Sequence, residues 1–336
     1  MSILSGFEEV RRLADPASGL DGFLVVHSTR RGPAFGGVRI ARYASDDEAR
    51  EDALALARAM SRKAALADLP AGGGKIVLRD SEALDRPAAI LRLGELLESM
   101  GGRFIAGPDL GFREEDSRAL ARATRFAHPM DEGDPDALAD ATARGVIAAA
   151  RAALELAGCG RLRGARVAIQ GLGKVGIRLA CRLAAEGAEI AFSDVAPREP
   201  PVPARRVDPG ALHREPCDLF APCARGGLLT AERACEMRAL AVVGCANNIL
   251  ASPEAGQVLH ERGVFFVPDG ISSAGALILG VCRYLGRDPE IDGRIEAIRD
   301  AARAVLEESR RTGRRPEEVA LALAEERLGE EKNTPP

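Results

Sequence analysis

A glycine-rich turn at residues 171–176, with the sequence GLGKVG, constrains the fold more than any other feature of the chain. It follows an apolar segment at 165–170 that has the pattern of a buried strand, and it opens a segment with the spacing of an amphipathic helix. A second apolar segment at 189–193 ends at Asp194. This order of strand, turn, helix and strand predicts a dinucleotide-binding βαβ unit over residues 165–194.

The glycines of the turn each have a physical role in such a unit. Gly171 permits the tight turn, Gly173 lets the backbone approach a pyrophosphate, and Gly176 lets the helix pack closely on the strand. Backbone N–H groups at the start of the helix would bind the phosphates. We therefore assign cofactor contact to the whole turn, that is, to Gly171, Leu172, Gly173, Lys174, Val175 and Gly176.

The acidic residue at the end of the second strand indicates which cofactor binds. Asp194 is placed to accept both ribose hydroxyls of the adenosine, and its charge would repel a 2′-phosphate. This favours NAD over NADP. Arg198 lies only four residues further on, so the use of NADP stays open.

Apolar segments continue to alternate with helical ones after the βαβ unit. Further strands are predicted at 218–220, 241–244 and 264–267. Continuous apolar strands separated by helices predict an α/β, doubly wound Rossmann domain whose parallel sheet is covered on both faces. The segment 197–209 contains five prolines and is expected to form an irregular surface loop.

The first 130 residues or so show a separate α/β pattern. A capping box at Ser45 and Glu48 predicts the start of one helix, and a second helix is expected at 87–100. Strands are predicted at 23–27, 38–41, 75–78 and 103–106.

The segment 131–136, acidic and rich in Gly and Pro, is the predicted hinge between the two patterns, and a long helix is expected at 135–157. We expect a catalytic domain at 1–133, the dinucleotide-binding domain at 134–315, and a C-terminal helix and tail at 316–336 that packs back on the first domain.

Composition excludes several other classes of protein. The net charge of −4 gives no broad attraction to nucleic acid or anionic membranes. No apolar run approaches the roughly 20 residues that span a bilayer, and the N-terminus lacks the apolar core of a signal peptide, so we expect a cytoplasmic protein. The seven cysteines form no CxxC pair and the four histidines are scattered, so we expect reduced cysteines and no metal site.

Two lysines at residues 60–78 (MSRKAALADLPAGGGKIVL) are candidates for chemistry. Lys63 lies on a predicted helix, and Lys75 follows three glycines at the start of a predicted strand. Burial and a second nearby lysine would both lower the pKa of Lys75 toward that of a useful general base. The alternative for either lysine is a solvated surface charge.

Nine ordered motifs extend over nearly the whole chain, and together they resemble the glutamate/leucine/phenylalanine/valine dehydrogenases, particularly the leucine and phenylalanine branch. The motifs are PAFGGVR (33–39), MSRK (60–63), GGGK (72–75), PDLG (108–111), TARGV (142–146), QGLGKVG (170–176), CDLFAPCA (217–224), GCANN (244–248) and PDGISSAG (268–275). The resemblance implies an NAD-dependent, reversible oxidative deamination of an L-amino acid to a 2-oxo acid and ammonia. It also implies a homo-oligomer, assembled through the first domain, with a catalytic cleft between the domains.

The resemblance also implies residue roles. Lys63 would bind the substrate carboxylate, Lys75 would activate the water that attacks the imino acid, and Asp109 would assist proton transfer at the amino group. The substrate site would further include Gly36, Gly37 and Asn248. The implied cofactor site adds Thr142, Cys223, Ala224, Ala246, Asn247 and Ser273 to the turn and Asp194.

Four positions bear on the substrate side chain. In glutamate-specific members of the family a lysine occupies the position of Phe35, which cannot bind a distal carboxylate, so an apolar substrate is favoured. Gly107 and Gly280 suggest a roomy pocket, and Leu277 keeps its wall apolar. Aromatic and branched aliphatic substrates both stay open, because Phe35 and Leu277 could refill the space.

Several residues depart from the family pattern. Ser273 and Ala276 alter a run expected near the nicotinamide, Phe112 and Arg113 follow PDLG where threonines are usual, and Leu279 replaces a common asparagine. Two alternatives therefore stay open: a catalytically silent NAD-binding protein that acts by interaction, and an NAD enzyme acting on 2-oxo acids in a biosynthetic pathway.

Overall fold

The computed structural model describes residues 6–128, 134 and 136–329. The chain divides into two compact units. The first unit comprises Met1–Pro135, Gly280–Arg287 and Ala324–Pro336, and the second comprises Asp136–Leu279 and Asp288–Leu323. Most of the predicted hinge at 131–136 falls outside the described residues.

The first unit is built on a mixed five-stranded sheet in the order β1-β2-β4-β3-β5. Its strands are β1 (Glu9–Asp15), β2 (Leu20–Ser28), β3 (Ala34–Ala41), β4 (Gly72–Arg79) and β5 (Phe104–Pro108). Strand β2 is antiparallel to β1 and β4, whereas β3 is parallel to both β4 and β5. Its helices are α1 (Asp46–Leu66), α2 (Arg86–Ser99) and α3 (Glu114–Ala123).

Side-chain alternation along these strands builds two apolar layers. Phe23 and Val77 pack with alanines of α1, whereas Leu24 and Ile76 pack in the cluster that contains α2. The predicted start of α1 is confirmed, because the Ser45 side chain accepts a hydrogen bond from the backbone N–H of Glu48. Strand β1 and helix α3 were not predicted from the sequence.

The second unit contains a parallel sheet in the order β11-β10-β9-β6-β7-β8. The strands are β6 (Arg166–Gln170), β7 (Glu189–Ser193), β8 (Arg205–Arg206), β9 (Cys217–Pro222), β10 (Ala239–Val242) and β11 (Phe265–Phe266). The strand order reverses at β6, as in a doubly wound dinucleotide-binding sheet. The predicted α/β, Rossmann-type fold class is confirmed.

The helices that follow the first unit's main segment complete the fold. They are α4 (Ala137–Leu156), α5 (Lys174–Ala185), α6 (Ala231–Glu236), α7 (Pro253–Glu261), α8 (Asp269–Ser272), α9 (Gly275–Tyr284), α10 (Ile291–Glu296), α11 (Ile298–Thr312) and α12 (Pro316–Gly329). The proline-rich segment 197–209 is not wholly irregular as predicted, because β8 pairs with β7 at its end. Within the described ranges, no helix is long and apolar enough to cross a membrane.

The end of α12 is held to the first unit by a buried arginine. The Arg31 guanidinium donates to the backbone carbonyl of Arg327 and pairs with Asp68 at 2.7 Å. Arg327 in turn donates to the carbonyls of Ala65 and Leu66 at the end of α1. These contacts give a fully buried cation an anionic partner and attach the end of the C-terminal helix to the helix that carries Lys63.

Glycine at position 73 sets the distance between α1 and β4. A Cβ added there would lie 2.1 Å from the backbone nitrogen of Ser61. We expect Gly73→Ala to reduce the free energy of unfolding by about 1–3 kcal/mol, because the helix must move away from the strand. Urea unfolding measures the change. Gly293→Ala is the control, since no atom in the part of the chain that the structure describes lies within 4 Å of its added Cβ. An equal loss in both variants would contradict the close-packing account.

Candidate active site and cofactor site

Buried Lys75 and half-buried Asp109 form an ion pair across strand β3. Lys75 lies on β4 and Asp109 directly follows β5, and their Nζ and Oδ2 atoms are 2.6 Å apart. Gly37 of β3 lies between them: a Cβ there would be 2.7 Å from the Asp109 Cβ and 3.1 Å from the Lys75 Nζ. The two side chains therefore meet because the intervening strand carries no side chain at that point.

A second set of charges surrounds this pair and was missed in the sequence. The Arg39 Nε also donates to Asp109 Oδ2, at 3.0 Å, and its other end pairs with Asp52 at 3.0 Å. The Tyr43 hydroxyl donates to Asp52. The sequence could have placed Arg39 in this site, because it lies two residues after Gly37 and so faces the same side of β3.

Burial and charge act in opposite directions on the pair. Burial lowers the pKa of Lys75, Asp109 partly opposes this, and the Arg39 charge adds to the lowering. Burial favours the neutral form of Asp109, but the charge and hydrogen bond of Lys75, with Arg39, hold the pKa of its carboxyl below the usual value. From the sequence, a nearby lysine was expected to lower the pKa of Lys75, whereas in the structure the neighbouring cation that lowers it is Arg39. The site thus pairs a carboxylate with an ammonium that is easier to deprotonate than usual.

Three other predicted substrate residues of the first unit lie on helix α1 and strand β3. Lys63 is half-buried in the last turn of α1. Gly36 brings β3 close to β4, since a Cβ there would lie 2.0 Å from the Gly74 carbonyl oxygen. Phe35 is buried, and its ring packs edge-to-face on Tyr284 with centroids 5.6 Å apart.

The two glycines expected to make a roomy pocket differ in their surroundings. Among the residues that the structure describes, only the His128 Cβ lies near a Cβ added at Gly107, at 3.8 Å. A Cβ at Gly280 would lie 2.7 Å from the Cδ2 atom of His128. The expected space at Gly280 is therefore filled by the imidazole ring. Leu277, assigned to the same wall from the sequence, is half-buried in the second unit.

The glycine-rich turn of the second unit has the geometry that its sequence predicts. Gly171 has φ +99°, which disfavours other residues. A Cβ at Gly176 would lie 2.0 Å from the Gly171 carbonyl oxygen, so glycine is what lets α5 approach the turn. Gly173 caps α5, and no atom of the described residues lies within 4 Å of a Cβ added there. Open backbone at the start of a helix fits the pyrophosphate of a dinucleotide.

Asp194 is fixed beside this turn by two backbone hydrogen bonds. Its Oδ2 accepts from the Leu172 N–H and its Oδ1 from the Ala196 N–H, both at 2.7 Å. These bonds hold the pKa of its carboxyl low despite partial burial. Arg198 lies 3.8 Å from Oδ2. A carboxylate has about four acceptor positions, so two remain for ribose hydroxyls.

The remaining predicted cofactor residues lie on loops and helix ends of the second unit. The Cys223 N–H donates to the Gln170 carbonyl, and Ala224 lies against Gly171. Ala246 donates to the carbonyl of Pro222. The chain therefore runs close to the turn at the ends of β9 and β10, as a dinucleotide site requires.

Asp269, at the start of α8, connects two further predicted residues and was not singled out in the sequence. Its carboxylate accepts from the Asn248 N–H at 3.2 Å, and its carbonyl accepts from the Ser273 hydroxyl at 2.6 Å. The Thr142 hydroxyl instead donates to Leu138 within α4. Asn247, next to Asn248, packs its carbonyl against Gly226.

Together these features define an oxidoreductase class: a dinucleotide-binding sheet in one unit and a buried lysine–carboxylate pair in the other. The chain matches the Glu/Leu/Phe/Val dehydrogenase dimerisation domain over residues 8–126 and the Glutamate/Leucine/Phenylalanine/Valine dehydrogenase family over 135–197 and 201–332.

Similar proteins extend over the same length. The chain is 35% identical to phenylalanine dehydrogenase of Thermoactinomyces intermedius, covering 96% of this chain and 92% of that protein. It is 34% identical to leucine dehydrogenase of Bacillus cereus, covering 98% and 92%. The crystal structure of L-tryptophan dehydrogenase from Nostoc punctiforme matches with a TM-score of 0.84 and 31% identity, covering 96% of each chain.

The chain therefore belongs to the Glu/Leu/Phe/Val dehydrogenase family and is an amino-acid dehydrogenase. The predicted family resemblance and the predicted NAD cofactor are confirmed. NAD, when bound, supplies a hydride acceptor, and the turn with Asp194 is the part of this chain that fits it.

Asp194 gives a direct test of cofactor choice. We expect Asp194→Ser to lower the ratio of kcat/KM for NAD to that for NADP about tenfold or more, because the carboxylate that repels a 2′-phosphate is gone and Arg198 remains. Steady-state kinetics with both cofactors measure the ratio. Asp208→Ser serves as the control, as its carboxylate caps a turn at Gly210. An unchanged ratio in Asp194→Ser would contradict the assigned role.

Proposed function

We propose that this enzyme catalyses the reversible, NAD-dependent oxidative deamination of an apolar or aromatic L-amino acid. The amino acid, NAD and water give a 2-oxo acid, ammonium, NADH and a proton. The observation that carries the proposal is the buried ion pair between Lys75 and Asp109, because this chemistry needs a group that can both hold and release a proton near the substrate carbon.

Each residue of the pair has a distinct role in the proposal. Loss of hydride from the α-carbon leaves an iminium ion. Neutral Lys75 then takes a proton from the water molecule that attacks the iminium carbon. Asp109 accepts a proton from the substrate amino group and returns one to the leaving ammonia. Arg39 stays charged and keeps Asp109 ionised between these steps. Lys63 is proposed to bind the substrate carboxylate, and Gly36 and Gly37 to leave room for the α-carbon.

The substrate class is proposed from Phe35. This residue is 4% exposed, and Tyr284 packs against its ring. A substrate with a side-chain carboxylate would place that charge against two aromatic rings, which costs several kcal/mol without a cationic partner. The relatives named phenylalanine, leucine and tryptophan dehydrogenase support an apolar or aromatic substrate.

We also propose how the protein is organised in the cell. The match to a dimerisation domain supports an oligomer, and a homo-oligomer formed by residues 1–133 is the specific proposal. Residues 134–315 would bind NAD, and residues 316–336 would support the first domain through contacts such as that of Arg31 with Arg327. The proposed location is the cytoplasm, with a small-molecule substrate and neither nucleic acid nor membrane as partner.

A substrate panel tests the proposed function. Each of the twenty L-amino acids is supplied with NAD or NADP, and reduced cofactor is followed by absorbance and ammonia by a separate assay. We expect equal amounts of NADH and ammonia from apolar or aromatic amino acids and no turnover of glutamate. Lys75→Met should lose about a hundredfold or more of kcat with NAD affinity within about twofold, because it removes the base and leaves the second unit intact.

Three outcomes would contradict the proposal. Glutamate as the best substrate would overturn the role of Phe35. Full activity of Lys75→Met would overturn the assigned base. NAD binding without turnover of any amino acid would instead favour a catalytically silent protein.

A further inference from the structure

Four neighbouring segments of the first unit present one residue each to the same face of its sheet. Gly37 of β3 is the register partner of Gly107 in the parallel strand β5. On the other side of β3, Phe35 is the partner of Gly73 in β4, so Gly37, two residues further on, lies opposite Lys75. Beyond β5, Ala127 bridges to Ala106, so that residue 128 lies beside Gly107. Because parallel partners face the same side, the row across the sheet is Lys75, Gly37, Gly107 and His128.

The two central members of this row are glycines, so the row contains a strip of backbone without Cβ atoms, although the Asp109 Cβ lies 2.7 Å from the position of a Gly37 Cβ. The Lys75 Nζ lies over one end, 3.1 Å from the position of a Gly37 Cβ. The His128 Cβ lies at the other end, 3.8 Å from the position of a Gly107 Cβ. Two strand spacings of about 4.8 Å separate Gly37 from residue 128, so the strip is about 10 Å long. That length suits an amino acid with a six-membered ring.

The ring of His128 occupies space that a third glycine leaves free. The position of a Gly280 Cβ is 2.7 Å from Cδ2 and 2.8 Å from Nε2 of His128, so one edge of the imidazole lies against the backbone of α9. Any side chain at residue 280 would displace the ring. The adjacent wall is also aromatic, because Phe35 lies on the same face of β3 as Gly37 and packs on Tyr284.

We propose that His128 is a specificity-determining residue, whose imidazole ends the side-chain pocket and selects an aromatic L-amino acid over a branched aliphatic one. This inference rests on the proposed function. A flat ring can lie on the glycine strip and meet the imidazole with its π face or with a polar ring substituent. A branched aliphatic side chain offers the imidazole neither a π face nor a polar ring substituent, so it gains less from this contact.

The test compares kcat/KM for L-phenylalanine, L-tyrosine and L-leucine, with NAD, in the full-length enzyme and three variants. The wild type should prefer the two aromatic substrates. His128→Leu, which keeps a side chain of similar length without nitrogen, should lower the aromatic-to-leucine ratio about tenfold or more. Gly280→Ala should lower the ratio in the same direction by displacing the ring. His128→Gln, which keeps a polar end, should retain more of the preference than His128→Leu.

Independent readouts separate specificity from damage to the fold. Circular dichroism and the KM for NAD should be the same in wild type and His128→Leu, since the cofactor turn lies in the other unit. A wild-type preference for leucine, or a ratio in His128→Leu within twofold of wild type, would overturn the role of His128 and leave the proposed function standing. A wild type that deaminates none of the three would overturn the proposed function itself, and this inference with it.

Discussion

The contact between Lys75 and Asp109 is the interaction on which the arrangement of the first unit depends. Lys75 lies on β4 and Asp109 directly follows β5, and β3 runs between these strands. The two side chains meet because residue 37 of β3 is a glycine. Arg39 binds the same carboxylate oxygen from β3. Burial makes the lysine easier to deprotonate, while Asp109 limits that effect. Lys75 therefore loses its proton at a lower pH than an exposed lysine would.

The glycine-rich turn of the second unit depends on backbone geometry rather than on a buried charge pair. Gly171 and Gly176 bring the turn and α5 together, and Gly173 leaves the start of the helix open. Asp194 accepts a hydrogen bond from the Leu172 N–H of that turn, so the group proposed to select the cofactor also fixes the loop proposed to bind it. The carboxylate thus stabilises the loop through its two backbone hydrogen bonds, besides its proposed role in cofactor selection.

Local sequence patterns predicted much of this molecule. The turn at 171–176, the strands around Lys75 and the capped start of α1 follow from spacing and glycine chemistry. Strand β1 was missed because its polar residues EVRR mask the alternation, and α3 because Arg113 is not a usual helix-capping residue. Asp52, His128 and Asp269 were missed for another reason: their roles come from contacts between segments that are distant in sequence, which no local pattern encodes.

The central claim is that the environment of Lys75 lowers its pKa so that it acts as the general base. The most direct measurement is the pH dependence of kcat/KM for deamination in wild type, Arg39→Gln and Arg39→Lys. Because the Arg39 charge disfavours protonated Lys75, its removal should move the acidic limb of the profile to higher pH, and the lysine variant should restore it. An acidic limb that stays in place, or moves to lower pH, in Arg39→Gln would contradict this account.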